Sequence, residues 1–107
     1  MSAQDFERNR LKLQIENTIK ELNQQVINPV FPELKLSDLE PILTLVARAR
    51  ADYLKELFKV TLASGTGLPE AEQVDSLEEH RTRYEELLKA SQALEHAIER
   101  GYLDVTS

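Results

Sequence analysis

Three groups of residues have the types and spacing from which chemistry is built. The first is acidic. Residues 70–100 carry nine acids against four bases. If Leu77, Tyr84, Ser91 and Ile98 share one heptad position, then Glu72, Glu78, Glu79, Glu85, Glu86 and Glu99 occupy the next two. They form a ridge of carboxylates beside an apolar stripe. Such a ridge either solvates a helix or docks a basic partner, where complementary charge speeds association and rejects wrong partners. Carboxylate catalysis needs in addition a pocket that separates the affinities of two acids for protons. A chain of 107 residues folded as helices offers little concavity for that, so no catalysis of its own is expected.

The second group is the histidine pair, His80 and His96. Sixteen residues apart on one helix, they stand about 24 Å apart at the helical rise and cannot share a metal within a monomer. There is no cysteine. Nor does the chain contain the Glu-x-x-His pattern that carboxylate-bridged di-iron bundles use on two helices. Neither metal nor cofactor is expected. The third group is the glycine-containing segment "SGTGLP", residues 64–69. A phosphate cradle presents backbone amides and is usually followed by a lysine and a hydroxyl. Here Pro69, Glu70 and Glu72 follow, and the acids would repel an anion. The segment reads as a turn between antiparallel helices.

The elements that must position these groups follow from periodicity. Leu11, Ile15, Ile19, Leu22 and Val26 recur at steps of three and four, which predicts an amphipathic helix over about 3–27. Asn28 and Pro29 end it, because proline disfavours helix in the residue before it. The connection that follows contains Val30, Phe31, Leu34 and Leu36, a composition suited to capping one end of a core. Ser37 and Glu40 match a capping box with Leu36 as staple, and Asp38 is a competing cap that would seat Pro41 in the first turn. A second helix over about 38–63 presents a wide apolar face of Leu39, Ile42, Leu43, Val46, Tyr53, Leu54, Leu57, Phe58 and Leu62.

The third helix, over about 70–100, is expected to be the longest. Its stripe is Leu77, Tyr84, Leu87, Leu88, Leu94 and Ile98. Gly101 is a C-terminal stop, and Tyr102 and Leu103 in the tail 101–107 are placed to fold back. The whole reads as one all-α domain over 1–107, an antiparallel three-helix bundle with a long third helix. The surplus stripe on that helix needs a cover: the tail, the 28–37 connection, or a second copy in a homodimer.

Arg50 in "VARARADYL" falls on the same side of the second helix as Val46 and Tyr53. An antiparallel turn centred near residues 66–67 sets Tyr53 opposite His80, and Arg50 opposite Tyr84 and Glu85. Arg50, Tyr53, His80 and Tyr84 then form one polar layer. Within it, the arginine methylenes lie along the core edge while the guanidinium reaches outward to stack or pair.

Partners are bounded by charge. The net charge of −6 is concentrated in residues 70–100, whereas phosphate contacts need a basic stripe, so nucleic acid is an unlikely partner. The one alternative of that kind is a nucleic-acid-associated regulator using Arg48, Lys55 and Lys59. No stretch reaches the roughly 18 apolar residues of a membrane span, and the opening "MSAQDFERNR" is no secretory signal, which points to the cytoplasm. The expected role is a small helical protein–protein interaction module (adaptor, assembly factor or chaperone-like) whose protein partner the sequence does not name.

Overall fold

The computed structural model describes residues 2–106. The fold is all-α. Helix α1 spans Ala3–Ile27, a 3-10 turn follows at Asn28–Val30, and helices α2 and α3 span Leu36–Ser64 and Ala71–Glu99. The three expected helices are all present. Among the described residues extended pairing is limited to a single isolated bridge, Leu34 to Val105. The chain packs as two compact units. One comprises the chain up to Leu36 with the segment from Glu95 onward, and the other is Ser37–Leu94.

In the first unit α1 begins with a complete capping box. The Ser2 hydroxyl accepts from the Asp5 amide at 3.1 Å, and the Asp5 carboxylate accepts from the Ser2 amide at 3.4 Å. Two otherwise orphaned donors are thereby satisfied. At the other end of this unit α3 closes in a complete Schellman turn. Gly101 sits at φ +73°, its amide donates to the Ile98 carbonyl at 3.0 Å, and the Tyr102 amide donates to the Ala97 carbonyl at 2.9 Å. Only glycine takes that left-handed conformation without strain. The turn sends the tail back along residues 28–34. There the Leu34 amide donates to the Asp104 carbonyl and the Thr106 amide donates to the Leu34 carbonyl, at 3.1 and 2.8 Å. The Asn28 side chain completes the join, accepting from the Asp104 amide at 2.9 Å and donating to the Asp104 carboxylate at 3.3 Å. Leu34 and Leu103 are buried by this fold-back.

Two expectations about this unit are corrected. The three-helix bundle implies a core-facing stripe on α1, yet Leu11, Ile15, Ile19, Leu22 and Val26 are 46–70% exposed and no residue of α1 is buried. Its half-buried residues are Asn23 and Ile27, which belong to a different face. The connection was read as capping a core, but Leu34 alone is buried and Val30, Phe31 and Leu36 stay exposed. The backbone bonds to the tail hold Leu34 in place and do nothing for its neighbours.

The second unit is an antiparallel hairpin of α2 and α3. Facing pairs step symmetrically away from the turn. The Ser64 hydroxyl, which donates to the Val60 carbonyl at 2.7 Å, lies 3.5 Å from the Gln73 side-chain oxygen, the Ser76 hydroxyl donates to the Glu56 carboxylate at 2.8 Å, and the Arg50 Nε to the Tyr84 hydroxyl at 3.0 Å. The "SGTGLP" segment is the turn, with Gly65 at φ +60°. Gln73 serves α3 as half of a capping box, its side-chain oxygen accepting from the Glu70 amide at 2.8 Å. Val46, Ala49 and Val60 of α2 and Ser91 of α3 are buried, and the Ser91 hydroxyl is satisfied by the Leu88 carbonyl at 2.8 Å.

Helix α2 starts at Leu36, ahead of both capping candidates, so Asp38 lies in its first turn and Pro41 inside the helix. The α2 and α3 helices are each 29 residues long, so the surplus length expected of α3 is absent. Of the wide apolar face, Ile42, Leu43, Leu54, Leu57, Phe58 and Leu62 are exposed.

Replacing Asn28 with Ala removes both side-chain bonds to Asp104. It should cost about 1–2 kcal/mol locally, speed hydrogen exchange at the Leu34 and Thr106 amides about tenfold, and leave the Val60 amide unchanged. Gly101→Ala should cost about 1–2 kcal/mol, read as a lowered melting temperature, because alanine must then adopt the left-handed region.

Candidate functional site

The α2–α3 hairpin carries most of the residues singled out from the sequence. At its middle, Arg50 reaches across to Tyr84 in two ways. Its Nε donates to the hydroxyl, and its guanidinium carbon lies 5.2 Å from the ring centroid. Tyr53 joins from the following turn of α2, its ring 6.1 Å from that of Tyr84 and tilted by 33°. Arg50 is exposed while the two tyrosines are half-buried. The arginine therefore lies over the seam with its head in water, and the rings carry the packing. His80 is half-buried, but its Nδ1 faces the Ser76 carbonyl oxygen of its own helix at 2.7 Å. The structure thus brings Arg50, Tyr53 and Tyr84 together, and turns Nδ1 of His80 onto its own helix. Alanines leave room for the arginine. Ala49 beside it is buried, so any larger side chain there would push α3 away.

On α3 the carboxylates Glu72, Glu78, Glu79, Glu85 and Glu86 are all exposed. Glu78, Glu79 and Glu86 line an open groove of about 740 Å³ with Asp75, Thr82, Arg83 and Leu87. Their steps of three and four place them on one helical stripe. Four acids against one base make the groove a negative trough whose floor includes one leucine. Glu85 lies outside it, 4.0 Å from the Arg81 Nε one turn back. With every carboxylate in water, the trough attracts positive charge without enclosing it. A second, smaller hollow of about 250 Å³ lies between Tyr53 of α2 and Val74, Leu77, Glu78 and Arg81 of α3.

Arg48, Lys55 and Lys59 are exposed and share one face of α2 by spacing. Asp52 is four residues after Arg48 and three before Lys55, so an acid interrupts that cationic face. Among the described residues, no three histidine or carboxylate side chains gather as a metal site would require. No helix among them is long and apolar enough to cross a membrane.

The surface that sequence reasoning missed is on α2. Val46, Ala49, Tyr53 and Val60 face α3, while Leu43, Leu54 and Phe58 lie roughly a third of a turn away. Phe58 is 71% exposed, whereas Val60, two residues on, is 4% exposed. A signal was present, because nine apolar side chains are too many for one face of a helix with one neighbour. They form two stripes. No family model, curated protein or solved structure matches the chain.

The Arg50–Tyr84 contact should behave as an exposed cation–π pair with one hydrogen bond. A double-mutant cycle of Arg50→Met and Tyr84→Phe should give a coupling of about 0.5–1 kcal/mol in denaturant unfolding. A coupling near zero would mean that Tyr53 and Tyr84 hold the seam without the arginine.

Proposed function

We propose that this chain is a small cytoplasmic protein–protein interaction module (an adaptor, assembly factor or chaperone-like protein) with no catalysis of its own. The observation that carries this reading is the second apolar stripe of α2. Leu43, Leu54 and Phe58 stand in water on a helix whose other stripe is already packed against α3. Isolated exposed leucines are ordinary on protein surfaces, but contiguous apolar patches mark interaction sites. On the same hairpin the acidic trough of α3 supplies the opposite ingredient. Glu72, Glu78, Glu79, Glu85 and Glu86 add a long-range field that favours basic segments of a partner and disfavours acidic ones. In this division of labour the α2 stripe supplies affinity and the α3 carboxylates supply rate and selectivity.

The test is capture of partner proteins at low and high salt by the wild type and two variants. Leu54→Ser with Phe58→Ser should abolish capture at both salt concentrations while the helical circular dichroism spectrum is retained. Changing Glu78, Glu79, Glu85 and Glu86 together to Gln should reduce capture mainly at low salt. Capture unchanged by both variants would overturn the reading. Salt-dependent retention on immobilised nucleic acid, lost when Arg48, Lys55 and Lys59 become Gln, would favour the regulator alternative instead.

A further inference from the structure

The contact between the tail and residues 28–34 has the make-up of a peptide complex contained within one chain. Leu34 pairs through both of its main-chain groups with the residues on either side of Val105, the pattern of a parallel β pair. The Asn28 side chain reads the backbone and the carboxylate of Asp104 together, accepting at 2.9 Å and donating at 3.3 Å. Leu103 is the plug, only 4% exposed. Proteins that add an extended peptide to an open edge work in this way, with main-chain bonds for affinity and a filled pocket for specificity. None of these contacts requires the tail to be joined covalently to α3.

Two further observations bear on exchange. Helix α3 is closed before the clip begins, because the Gly101 and Tyr102 amides donate back to Ile98 and Ala97. Residues 103–106 can therefore leave without opening that Schellman turn. The edge is also larger than its occupant. Val30 and Phe31, just ahead of the paired residue, are 70% and 41% exposed. We propose that residues 28–34 are a binding site for an extended peptide of another protein, and that the chain's own tail is the resident competitor. The chemistry of the tail defines that peptide. It carries a leucine, a carboxylate directly after it, and a residue other than proline three positions beyond the leucine, where an amide must donate. A partner segment with more apolar residues gains contact with Val30 and Phe31, which the tail leaves in water. The tethered tail acts as a ligand at roughly millimolar concentration, so it excludes short or poorly matched peptides. The site shares no residue with the α2 stripe or the α3 trough and does not rest on the role proposed for them.

The probe is a fluorescent synthetic peptide with the sequence of residues 101–106, followed by anisotropy against the full chain. A Leu103→Ser chain, whose tail has lost its plug, should bind the peptide about tenfold more tightly than the wild type does. Adding Asn28→Ala to that chain should weaken binding about fivefold, the worth of one hydrogen bond. A peptide with serine in place of its leucine should bind neither chain. Should Leu103→Ser lose its helical circular dichroism, Thr106→Pro takes its place, since it removes one amide and keeps the leucine. A second readout needs no substitution. Unlabelled peptide at millimolar concentration, added to the isotope-labelled wild type, should move the Asp104 and Thr106 amide resonances to unstructured positions while the Leu34 amide stays protected from exchange. Tail resonances that do not move would overturn the proposal. So would equal binding by the wild type and a folded, tail-released chain, or binding by neither.

Discussion

Ordering a helical residue costs about 1–2 kcal/mol of backbone entropy, and in water that cost is offset chiefly by apolar surface removed from solvent. This chain orders three long helices, yet among its described residues the buried apolar side chains are Leu34, Val46, Ala49, Val60 and Leu103. The imbalance governs the rest of the structure. Every device that the helices contain for satisfying their own ends becomes correspondingly important. These include the Ser2–Asp5 box, the Gln73 half-box and the Schellman turn at Gly101. The same imbalance leaves the faces of α1 and α2 as the natural places for added stability, and stability gained by association is also recognition.

Within the α2–α3 hairpin the contacts that survive are mostly of mixed character. The seam is fixed by Arg50 on Tyr84 and Ser76 on Glu56. Polar cross-links of this sort contribute less than packed leucines but are selective in register, since a shift of one residue breaks both. A hairpin held in register by hydrogen bonds can keep leucines and a phenylalanine on its outer face without sliding to hide them. The acidic stripe of α3 then lies on a helix whose rotation is set by the seam.

Much of this architecture is legible from residues alone. Asn28 with Pro29 and Gly101 after Arg100 mark ends by local rules that need no knowledge of neighbours. The pairing of Arg50 with Tyr84 follows from counting outward from the turn. Burial is not legible in the same way. Periodicity shows which residues share a face and says nothing about whether anything lies against it, so Phe58 counts on the apolar face and Val60 does not, whereas Val60 is buried and Phe58 exposed. The α1 stripe was misread for the same reason. The Leu34–Val105 bridge escaped notice because its donors and acceptors are main-chain atoms, which carry no side-chain signature. Of the clip at that bridge, Asn28 alone has a side chain that sequence could have flagged, and asparagine before proline reads first as a helix stop.

The main-chain character of that bridge also sets what the tail can tolerate over evolutionary drift. Hydrogen bonds from the Leu34 and Thr106 amides are indifferent to the side chains attached, so positions 105 and 106 are free to vary through most residue types. Proline at 34 or 106 is the exception, because each position donates its amide hydrogen. Leu103 and Asn28 are constrained differently, one by the space it fills and the other by the two bonds it makes. A lineage of this fold would therefore show an unequal alphabet over residues 103–106: narrow at 103, wide at 105, and closed to one residue at 106.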